Sequence, residues 1–527
     1  MGEIMTETGK IIRFCLQSMP MKYLNLPFPL IYRPIFNPAD DNKQTLTLRL
    51  NYFIQTIVSI YIFTYICSNI SLDIKNGDLT MLISEGELLT IRNGLTIIAV
   101  MVKRYLMLIS ALCLSLAGEA QQSFDSLFEK KSLRIDFSLS GNAQFQAAAI
   151  EQLREEPVWG GPLNNLIDQF YYGGYYINVY SKKNNQLIYS RGFNTLFEEW
   201  RTTDQAQTET QAWTNSVSIP FPKDTIYIEL TARDRKTGKF SPLLKQEVAP
   251  KSIFIDRSPL TNNPISKILD NGDSNKKVDL VFVAEGYTAQ EQDKFVADAR
   301  RFADALFNTP PFNNHKDDFN VWAVGTISGE SGTDVSGKGI YKNTALNSGY
   351  YTFGIDRYLT TQDMKSIRNA VWNVPTDAIF ILINTDAYGG GGMYNFYACG
   401  TADNPRTPVV FTHEFGHSFA GLADEYFSSE VAYNDFYNLE IEPWEPNITT
   451  LVDFDSKWKD LLPKGTPVPT PLDDSHKDKC GVFEGGGYLS KGIFRPMDHC
   501  MMRDYAPFCP ACSRAIEKMI KYYCDEK

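Results

Sequence analysis

One short run, residues 411–426, constrains this chain more than any other part of its sequence. It contains the pattern His-Glu-x-x-His, in which His413 and His417 are four residues apart and Glu414 lies between them. On an α-helix, residues i and i+4 lie one above the other on the same face, so both imidazoles can bind one zinc ion. Glu414 then lies beside the metal, where it can take a proton from water and deliver it to a leaving amine. The run therefore predicts the active-site helix of a zinc peptidase.

The third zinc ligand must come from outside this pattern, because a catalytic zinc ion normally has three protein ligands and one open position. Gly421 can adopt the left-handed conformation that ends a helix, which lets the chain turn back toward the metal. We expect Asp424 to be the third ligand, because this turn brings its carboxylate below the helix. The alternatives are Glu425, His476 and His499.

Two runs of the sequence resemble a known family. His-Glu-Phe-Gly-His-Ser-Phe-Ala-Gly-Leu-Ala-Asp-Glu-Tyr, beginning at His413, is similar to the signature of the secreted bacterial IgA peptidase family of zinc metalloendopeptidases. Residues 499–512 resemble that family's Met-containing turn, like the one beneath the zinc in metzincins. The likeness covers about residue 124 to the end, and it implies a zinc endopeptidase with an N-terminal accessory domain. The chain departs from the usual metzincin pattern, because no histidine follows six residues after His417.

Three residues of the Met-containing turn are assigned roles by this resemblance. Met502 is the first choice for the residue beneath the zinc ligands and Met501 is the second. A thioether there would pack as a polarizable apolar group beneath the zinc ligands without binding the metal. Tyr505 is a candidate catalytic residue, because a phenol near a zinc site can stabilise a tetrahedral oxyanion. Simple packing is the alternative for this tyrosine.

Chain length limits the number of domains, and net charge limits the classes of partner. The chain has 527 residues, of which 43% are hydrophobic and 21% charged, enough for two or three globular domains. Its net charge of −11 argues against nucleic-acid binding, which needs a basic face. We therefore expect no nucleic-acid partner.

The first 120 residues contain two apolar segments of a kind that the rest of the chain lacks. Residues 51–70 carry no charge and are long enough to span a bilayer. In residues 101–120, a positive segment, an apolar segment and a small-residue cleavage site follow in the order of a signal peptide. This order predicts a biological start at Met101, with residues 1–100 translated from upstream sequence. The protein would then be secreted, periplasmic or at the cell surface, without a stable membrane anchor. A membrane-anchored protease that uses residues 51–70 is the alternative.

The remaining chain predicts an α+β protein with two domains. Residues 123–258 favour a β-sandwich accessory domain, because short aromatic-rich strands alternate with turns. Its tryptophans and tyrosines could form a binding platform, although core packing is favoured. Residues 259–277 are polar and predict a linker. Residues 278–527 form the expected zincin-like peptidase domain, with a twisted mixed sheet, the active-site helix, the Met-turn and a C-terminal helix.

Individual elements follow from periodicity and turn signals. A capping box at Thr288 predicts the start of a helix. By resemblance, residues 393–398 are assigned to a sheet edge along which a peptide substrate adds, and a flexible glycine-rich loop is the alternative. The other expected strands lie near residues 132–139, 175–180, 186–190, 224–232, 278–284, 319–326 and 378–384, and the other expected helices near 361–371 and 511–523.

The cysteines favour disulfides over a second metal site. Six cysteines remain after residue 120, and a secreted chain meets oxidising conditions, so up to three disulfides are expected. The spacing Cys509-x-x-Cys512 also suits a structural zinc ion. A second such pair is missing, and this is why disulfides are preferred.

Taken together, the residues and the resemblance predict a secreted zinc-dependent endopeptidase that acts on a protein or peptide. Host glycoproteins and immunoglobulins are among the substrates left open. The alternative is a non-catalytic surface-binding protein that uses its β-sandwich and carries a vestigial zinc helix. The intact Glu414 argues against that alternative.

Overall fold

The computed structural model describes residues 123–427 and 436–525, together with three short strands nearer the N-terminus, Ser71–Lys75, Asp78–Leu82 and Leu88–Ile91. The chain divides into two compact units, Met1–Ala120 and Gln121–Lys527. The three short strands form one antiparallel sheet in the first unit. The predicted bilayer-spanning stretch 51–70 and the predicted signal peptide 101–120 lie outside the described residues. Within the described ranges, no helix has the length and apolar character needed to cross a membrane.

The second unit is a mixed α+β structure, and its N-terminal part contains two four-stranded sheets. One sheet has, from edge to edge, the strands Phe240–Val248, Ile226–Arg233, Tyr175–Ser181 and Leu187–Phe193. The other has the strands Ile255–Asp256, Gln146–Glu156, Phe128–Gly141 and Gln211–Pro222. The four strands predicted in this region are confirmed, three of them with longer bounds. Side chains of both sheets belong to one hydrophobic core.

Alternating side chains explain how these strands bury one face. Ile226, Ile228 and Leu230 are buried, while the residues between them are half-buried. Trp200 and Trp213 are also buried, so they pack in the core as favoured from the sequence. Three short helices accompany the sheets, Phe124–Leu127, Leu196–Trp200 and Asp204–Thr208.

A six-stranded sheet forms the centre of the C-terminal part. Its strands are, in order, Ile265–Leu269, Phe319–Val324, Val278–Glu285, Ala378–Ile383, Tyr397–Thr401 and Gly390–Met393. The four central strands are parallel and the two outer strands are antiparallel to their neighbours. The strands predicted near 278–284, 319–326 and 378–384 are confirmed. Ile265–Leu269 lies within the segment 259–277 that was predicted as a linker, so part of that segment belongs to this sheet.

Side-chain alternation divides the buried sheet between two cores. Val281, Val283 and Ile381 contribute to the core shared with the N-terminal sheets, as does the helix Met364–Val371. Phe282 belongs to the core on the opposite face. The helices that pack there are Gln292–Phe307, Thr407–Ala420 and Pro510–Tyr523. The central strands are therefore apolar on both faces, as expected for parallel strands covered on both sides.

Local signals account for several helix ends. The predicted capping box is present, with Thr288 and Glu291 bonded reciprocally at the start of a short 3-10 turn that leads into a helix. The helix expected at 361–371 begins later, at Met364, because the Asp363 side chain accepts a hydrogen bond from the Ser366 backbone and caps it there. The predicted C-terminal helix is confirmed at Pro510–Tyr523. The other described strands form the pairs Asp334–Val335 with Gly349–Tyr350 and Phe483–Gly486 with Leu489–Arg495, the other α-helix is Met501–Asp504, and short 3-10 helices lie in the connections.

The bounds predicted for the edge strand are wrong. The edge strand is Gly390–Met393, whereas residues 394–396 form a turn and Tyr397 begins the neighbouring strand. The glycines, for which a flexible loop was the alternative, permit this strand to lie against the helix Thr407–Ala420. A Cβ on Gly392 would stand 2.3 Å from the Glu414 carbonyl oxygen, so a larger residue could not approach so closely.

Candidate active site

The helix Thr407–Ala420 presents the His-Glu-x-x-His residues, and its two ends follow from its sequence. Pro408 lies in the first turn, where its missing N–H costs nothing. Gly421 ends the helix in the left-handed conformation with φ of 66°, as predicted. Its N–H donates to the His417 carbonyl at 3.1 Å, and the chain then turns back beneath the helix. This turn carries Asp424 toward the two histidines.

Three potential ligand atoms converge at this point. The Nε2 atoms of His413 and His417 are 3.1 Å apart. Oδ1 of Asp424 lies 3.1 Å from Nε2 of His413 and 3.3 Å from Nε2 of His417. His413 and Asp424 are each about 5% exposed, so this triangle of atoms is almost removed from water.

Hydrogen bonds on the far side of each ring orient the histidines. Nδ1 of His413 lies 2.9 Å from the Met501 carbonyl oxygen, and Nδ1 of His417 lies 2.6 Å from that of Leu422. A carbonyl oxygen can only accept, so each Nδ1 carries the proton. In the neutral rings both Nε2 lone pairs therefore face the same point, which is the tautomer that a metal ligand needs.

Asp424 is held by a tyrosine that the sequence did not single out. The Tyr488 hydroxyl donates to Oδ2 of Asp424 at 2.5 Å. Among the described residues, Oδ1 has no hydrogen-bond partner and faces the imidazoles. Burial opposes ionisation, but His417 and His413 outweigh it and hold the pKa of Asp424 well below its usual range. In turn, burial lowers the pKa of His417, and the Asp424 carboxylate overcomes this and raises that pKa to about 9.

Glu414 lies close to the two histidines and lines the same pocket. Its carboxylate and the ligand nitrogens of His413 and His417 all lie within 4.8 Å of one another. Burial raises the pKa of Glu414 above its ordinary value, which favours a group that accepts and returns a proton. These residues line a pocket of about 170 Å³ that also borders the strand Gly390–Met393.

The three alternative ligands lie elsewhere. His476 is on the surface, where its Nδ1 lies 2.7 Å from Asp473. His499 pairs with Asp504, and its side chain is 62% exposed. Glu425 points away from the histidines and lies 3.1 Å from the Cys512 sulfur.

The Met-containing turn lies against the helix. A Cβ added to Gly416, the residue before His417, would lie 3.0 Å from Sδ of Met502. The Met502 thioether therefore packs directly beneath this glycine. Met501 contributes its carbonyl to His413. The ring of Tyr505 lies 5.6 Å from the ring of His413, and its hydroxyl bonds that of Tyr388 at 2.9 Å. Tyr505 is thus near the histidines and 39% exposed.

Several pocket residues carry no motif that would reveal them. Tyr488 is 64 residues beyond Asp424 in the chain. Glu198 and Glu199 come from the N-terminal part and line the same pocket. The Tyr358 hydroxyl donates to Glu199 at 2.7–2.8 Å and connects the two parts beside the pocket. Only the tertiary fold brings these residues together.

The expectation of disulfides is wrong for the described part of the chain. Cys399, Cys480, Cys500, Cys509 and Cys512 form no disulfide there. Cys399 is buried in the sheet and donates to the Leu359 carbonyl, Cys524 donates to the Asp318 carbonyl, and Cys480 is half-buried. The other three, Cys500, Cys509 and Cys512, gather around Glu425.

Comparisons with known proteins match both parts of the second unit. A family model described as IgA Peptidase M64 matches residues 266–479 and 472–520. A model described as Peptidase M64 N-terminus matches residues 123–243. No curated protein matches the chain. The matched peptidase region includes the helix, the turn and all three atoms of the buried triangle. The chain therefore belongs to the IgA peptidase M64 family, a family of metallopeptidases.

Proposed function

We propose that this protein is a zinc-dependent endopeptidase in which His413, His417 and Asp424 bind the metal. The single observation that carries the proposal is the triangle of Nε2, Nε2 and Oδ1 atoms, whose sides measure 3.1, 3.1 and 3.3 Å. A tetrahedral zinc ion with bonds of about 2.0–2.1 Å separates its ligand atoms by about 3.3–3.4 Å. The donor set of two imidazoles and one carboxylate also suits a catalytic zinc ion.

In this proposal Glu414 is the general base. A bound zinc ion supplies Lewis acidity, polarising the scissile carbonyl and making water reactive near neutral pH. Glu414 takes up the proton that the attacking water releases, then passes it to the leaving amine. Its raised pKa favours both halves of this transfer. Tyr505, 5.6 Å from the His413 ring, is proposed to donate its hydroxyl hydrogen to the oxyanion.

The substrate is proposed to be an extended peptide segment of a protein. The strand Gly390–Met393 is at the edge of the six-stranded sheet, so its backbone can pair with an added strand. An isolated bridge joins Tyr358 to Gly390, so the proposal places the substrate along the strand beyond this bridge. Specificity for an immunoglobulin or another host glycoprotein stays a prediction.

The proposal also covers the fold of the two parts of the protein and its export from the cell. We interpret the two N-terminal sheets as a β-sandwich and the C-terminal part as a zincin-like domain, supported by the shared N-terminal core and by the active-site helix below the sheet. Export is supported by the signal-like order of residues 101–120. N-terminal sequencing of the protein from its native source tests this, and retention of residues 1–100 would contradict it.

Proteolysis with a matched pair of variants tests the catalytic proposal. The purified protein is incubated with a panel of secreted proteins including IgA, and the fragments are identified by mass spectrometry. Glu414→Gln keeps the side-chain shape and removes the base, so cleavage should fall by several orders of magnitude while zinc content stays unchanged. The exposed Glu440 provides the control, since Glu440→Gln makes the same chemical change away from the pocket. A chelator should abolish cleavage and added zinc should restore it.

Two outcomes would count against the proposal. Cleavage by Glu414→Gln at the parental rate would exclude its role as the general base. Zinc binding without cleavage of any protein in the panel would favour the alternative, a surface-binding protein. In that case, deletion of residues 123–258 would remove binding to the panel proteins, whereas Glu414→Gln would leave it intact.

A further inference from the structure

Four buried side chains gather beside the histidine site without belonging to it. The sulfur atoms of Cys500, Cys509 and Cys512 and a carboxylate oxygen of Glu425 lie within 4.8 Å of one another. Glu425, Cys500 and Cys512 are 0% exposed, and Cys509 is 2% exposed. An ionised carboxylate in an apolar core carries a large desolvation cost unless a cation compensates it, and three neighbouring thiols can bind such a cation as thiolates.

The distances within this cluster match tetrahedral coordination. The Cys500 and Cys512 sulfurs are 3.8 Å apart. Oε1 of Glu425 lies 3.1 Å from the Cys512 sulfur and 3.9 Å from the Cys509 sulfur. A tetrahedral zinc ion with Zn–S bonds of about 2.3 Å separates two sulfurs by about 3.8 Å, and a sulfur from a carboxylate oxygen by about 3.6 Å. The observed S–S distance equals the first of these separations, and the two observed S–O distances lie on either side of the second.

Backbone and side-chain N–H groups donate hydrogen bonds to these side chains, as the groups around a metal site do to its ligands. The Cys509 N–H donates to the Cys500 sulfur and the Cys512 N–H donates to the Cys509 sulfur, both at 3.4 Å. The Asn447 side chain donates to Oε1 of Glu425 at 2.9 Å. Such donors stabilise thiolates and fix a ligating carboxylate. The other oxygen, Oε2, is buried and has no hydrogen-bond partner among the described residues.

A disulfide explains the cluster less well than a metal does. A bond between Cys500 and Cys512 would leave the buried Glu425 carboxylate without a compensating charge, and it would not use the third thiol, Cys509. A divalent cation would use all four groups at once. From the sequence, the lack of a second Cys pair argued against a zinc site. In the structure, Cys500 and Glu425 take the place of that pair, and Glu425 lies 84 residues before Cys509 in the chain.

We propose that Glu425, Cys500, Cys509 and Cys512 bind a second, structural zinc ion. Three thiolates and one carboxylate in a closed tetrahedron favour Zn²⁺, because Ca²⁺ and Mg²⁺ prefer oxygen ligands and a structural zinc site keeps no open position. The site is buried and has no room for substrate. Its existence does not depend on whether the histidine site is catalytic.

The position of this site gives it a structural role. Glu425 directly follows Asp424, and Cys500 directly precedes Met501, whose carbonyl orients His413. The Glu425 N–H also donates to the Met502 carbonyl at 2.8 Å. A zinc ion here joins the loop after the active-site helix to the Met-containing turn. The site therefore positions the ligands of the histidine site without touching substrate.

Metal content and cobalt spectroscopy test the proposal separately from catalysis. The protein purified under reducing conditions should contain two zinc ions per chain by elemental analysis. Replacing zinc with cobalt(II) should give an intense near-ultraviolet thiolate-to-cobalt charge-transfer band, which the two imidazoles and the carboxylate cannot produce. Absence of this band from cobalt-loaded protein would overturn the proposal, whatever the state of the histidine site.

Variants assign the band to these residues. Cys512→Ser should remove the band and one zinc ion, whereas Cys480→Ser, outside the cluster, should keep both. His413→Ala should keep the band and lose the other zinc ion. If Cys512→Ser does not fold, the spectrum of the parent protein still decides the question. A Cys500–Cys512 disulfide found by mass spectrometry in the freshly purified, unreduced protein, with one zinc ion per chain, would also overturn the proposal.

Discussion

The hydrogen bond from Tyr488 to Asp424 provides a test of how the proposed zinc ligand is held. Tyr488→Phe removes one hydroxyl and keeps the ring, so the packing against Tyr426 is retained. The Asp424 carboxylate then loses its donor on Oδ2 and can rotate away from the imidazoles. We expect weaker zinc binding with an unchanged fold.

The size of the effect follows from the type of bond. A hydrogen bond to a charged group contributes about 1.5–3 kcal/mol, which corresponds to about 13- to 160-fold in affinity. Tyr488 is half-buried, so water can partly replace its hydroxyl and the lower part of this range applies. Second-layer partners of metal ligands contribute a similar amount. The expected loss of zinc affinity is therefore about tenfold.

Competition with a chromophoric chelator measures this affinity directly. Tyr437→Phe is the matched control, because the Tyr437 hydroxyl also donates to a carboxylate in the same pocket, that of Glu445 at 3.1 Å, without contacting a proposed ligand. Circular dichroism and thermal unfolding confirm that both variants fold. Equal zinc affinities for Tyr488→Phe and Tyr437→Phe would refute the proposed role of Tyr488 in holding Asp424.

Three further predictions concern packing, catalysis and pH. Gly392→Ala places a Cβ 2.3 Å from the Glu414 carbonyl oxygen and should lower the free energy of unfolding by about 1–3 kcal/mol in urea titrations, whereas Gly400→Ala, with its nearest atom at 3.3 Å, should cost less. Tyr505→Phe should lower kcat by roughly 100-fold with little change in KM, and an unchanged kcat would exclude its role at the oxyanion. Burial raises the pKa of Glu156 to about 7, so the folded chain holds a proton that the unfolded chain releases above about pH 4.5. Glu156 should therefore contribute a fall in the unfolding free energy of up to about 3 kcal/mol between pH 4.5 and 7, and Glu156→Gln should remove this contribution.

Short-range signals predicted much of the fold, because each depends on neighbouring residues. The helical spacing of His413 and His417, the left-handed Gly421 and the capping box at Thr288 all gave elements that the structure contains. The apolar run at Val278 gave the central strand, since strands buried on both faces are continuously hydrophobic.

The features that escaped prediction depend on contacts between distant residues. The edge strand Gly390–Met393 lies before most of the predicted residues 393–398, and only the packing of its glycines against the helix explains why they form a strand. Tyr488 shows no local pattern that connects it with Asp424. Glu425 completes the cysteine cluster from far along the chain, so counting cysteine pairs led to disulfides.

Anomalous diffraction from crystals grown with zinc tests the central claim most directly. The account predicts a zinc peak about 2.0–2.2 Å from Nε2 of His413, Nε2 of His417 and Oδ1 of Asp424, with a fourth position open toward Glu414. A crystal that binds zinc elsewhere, with no peak between these three atoms, would contradict the assignment of the site and the mechanism built on it.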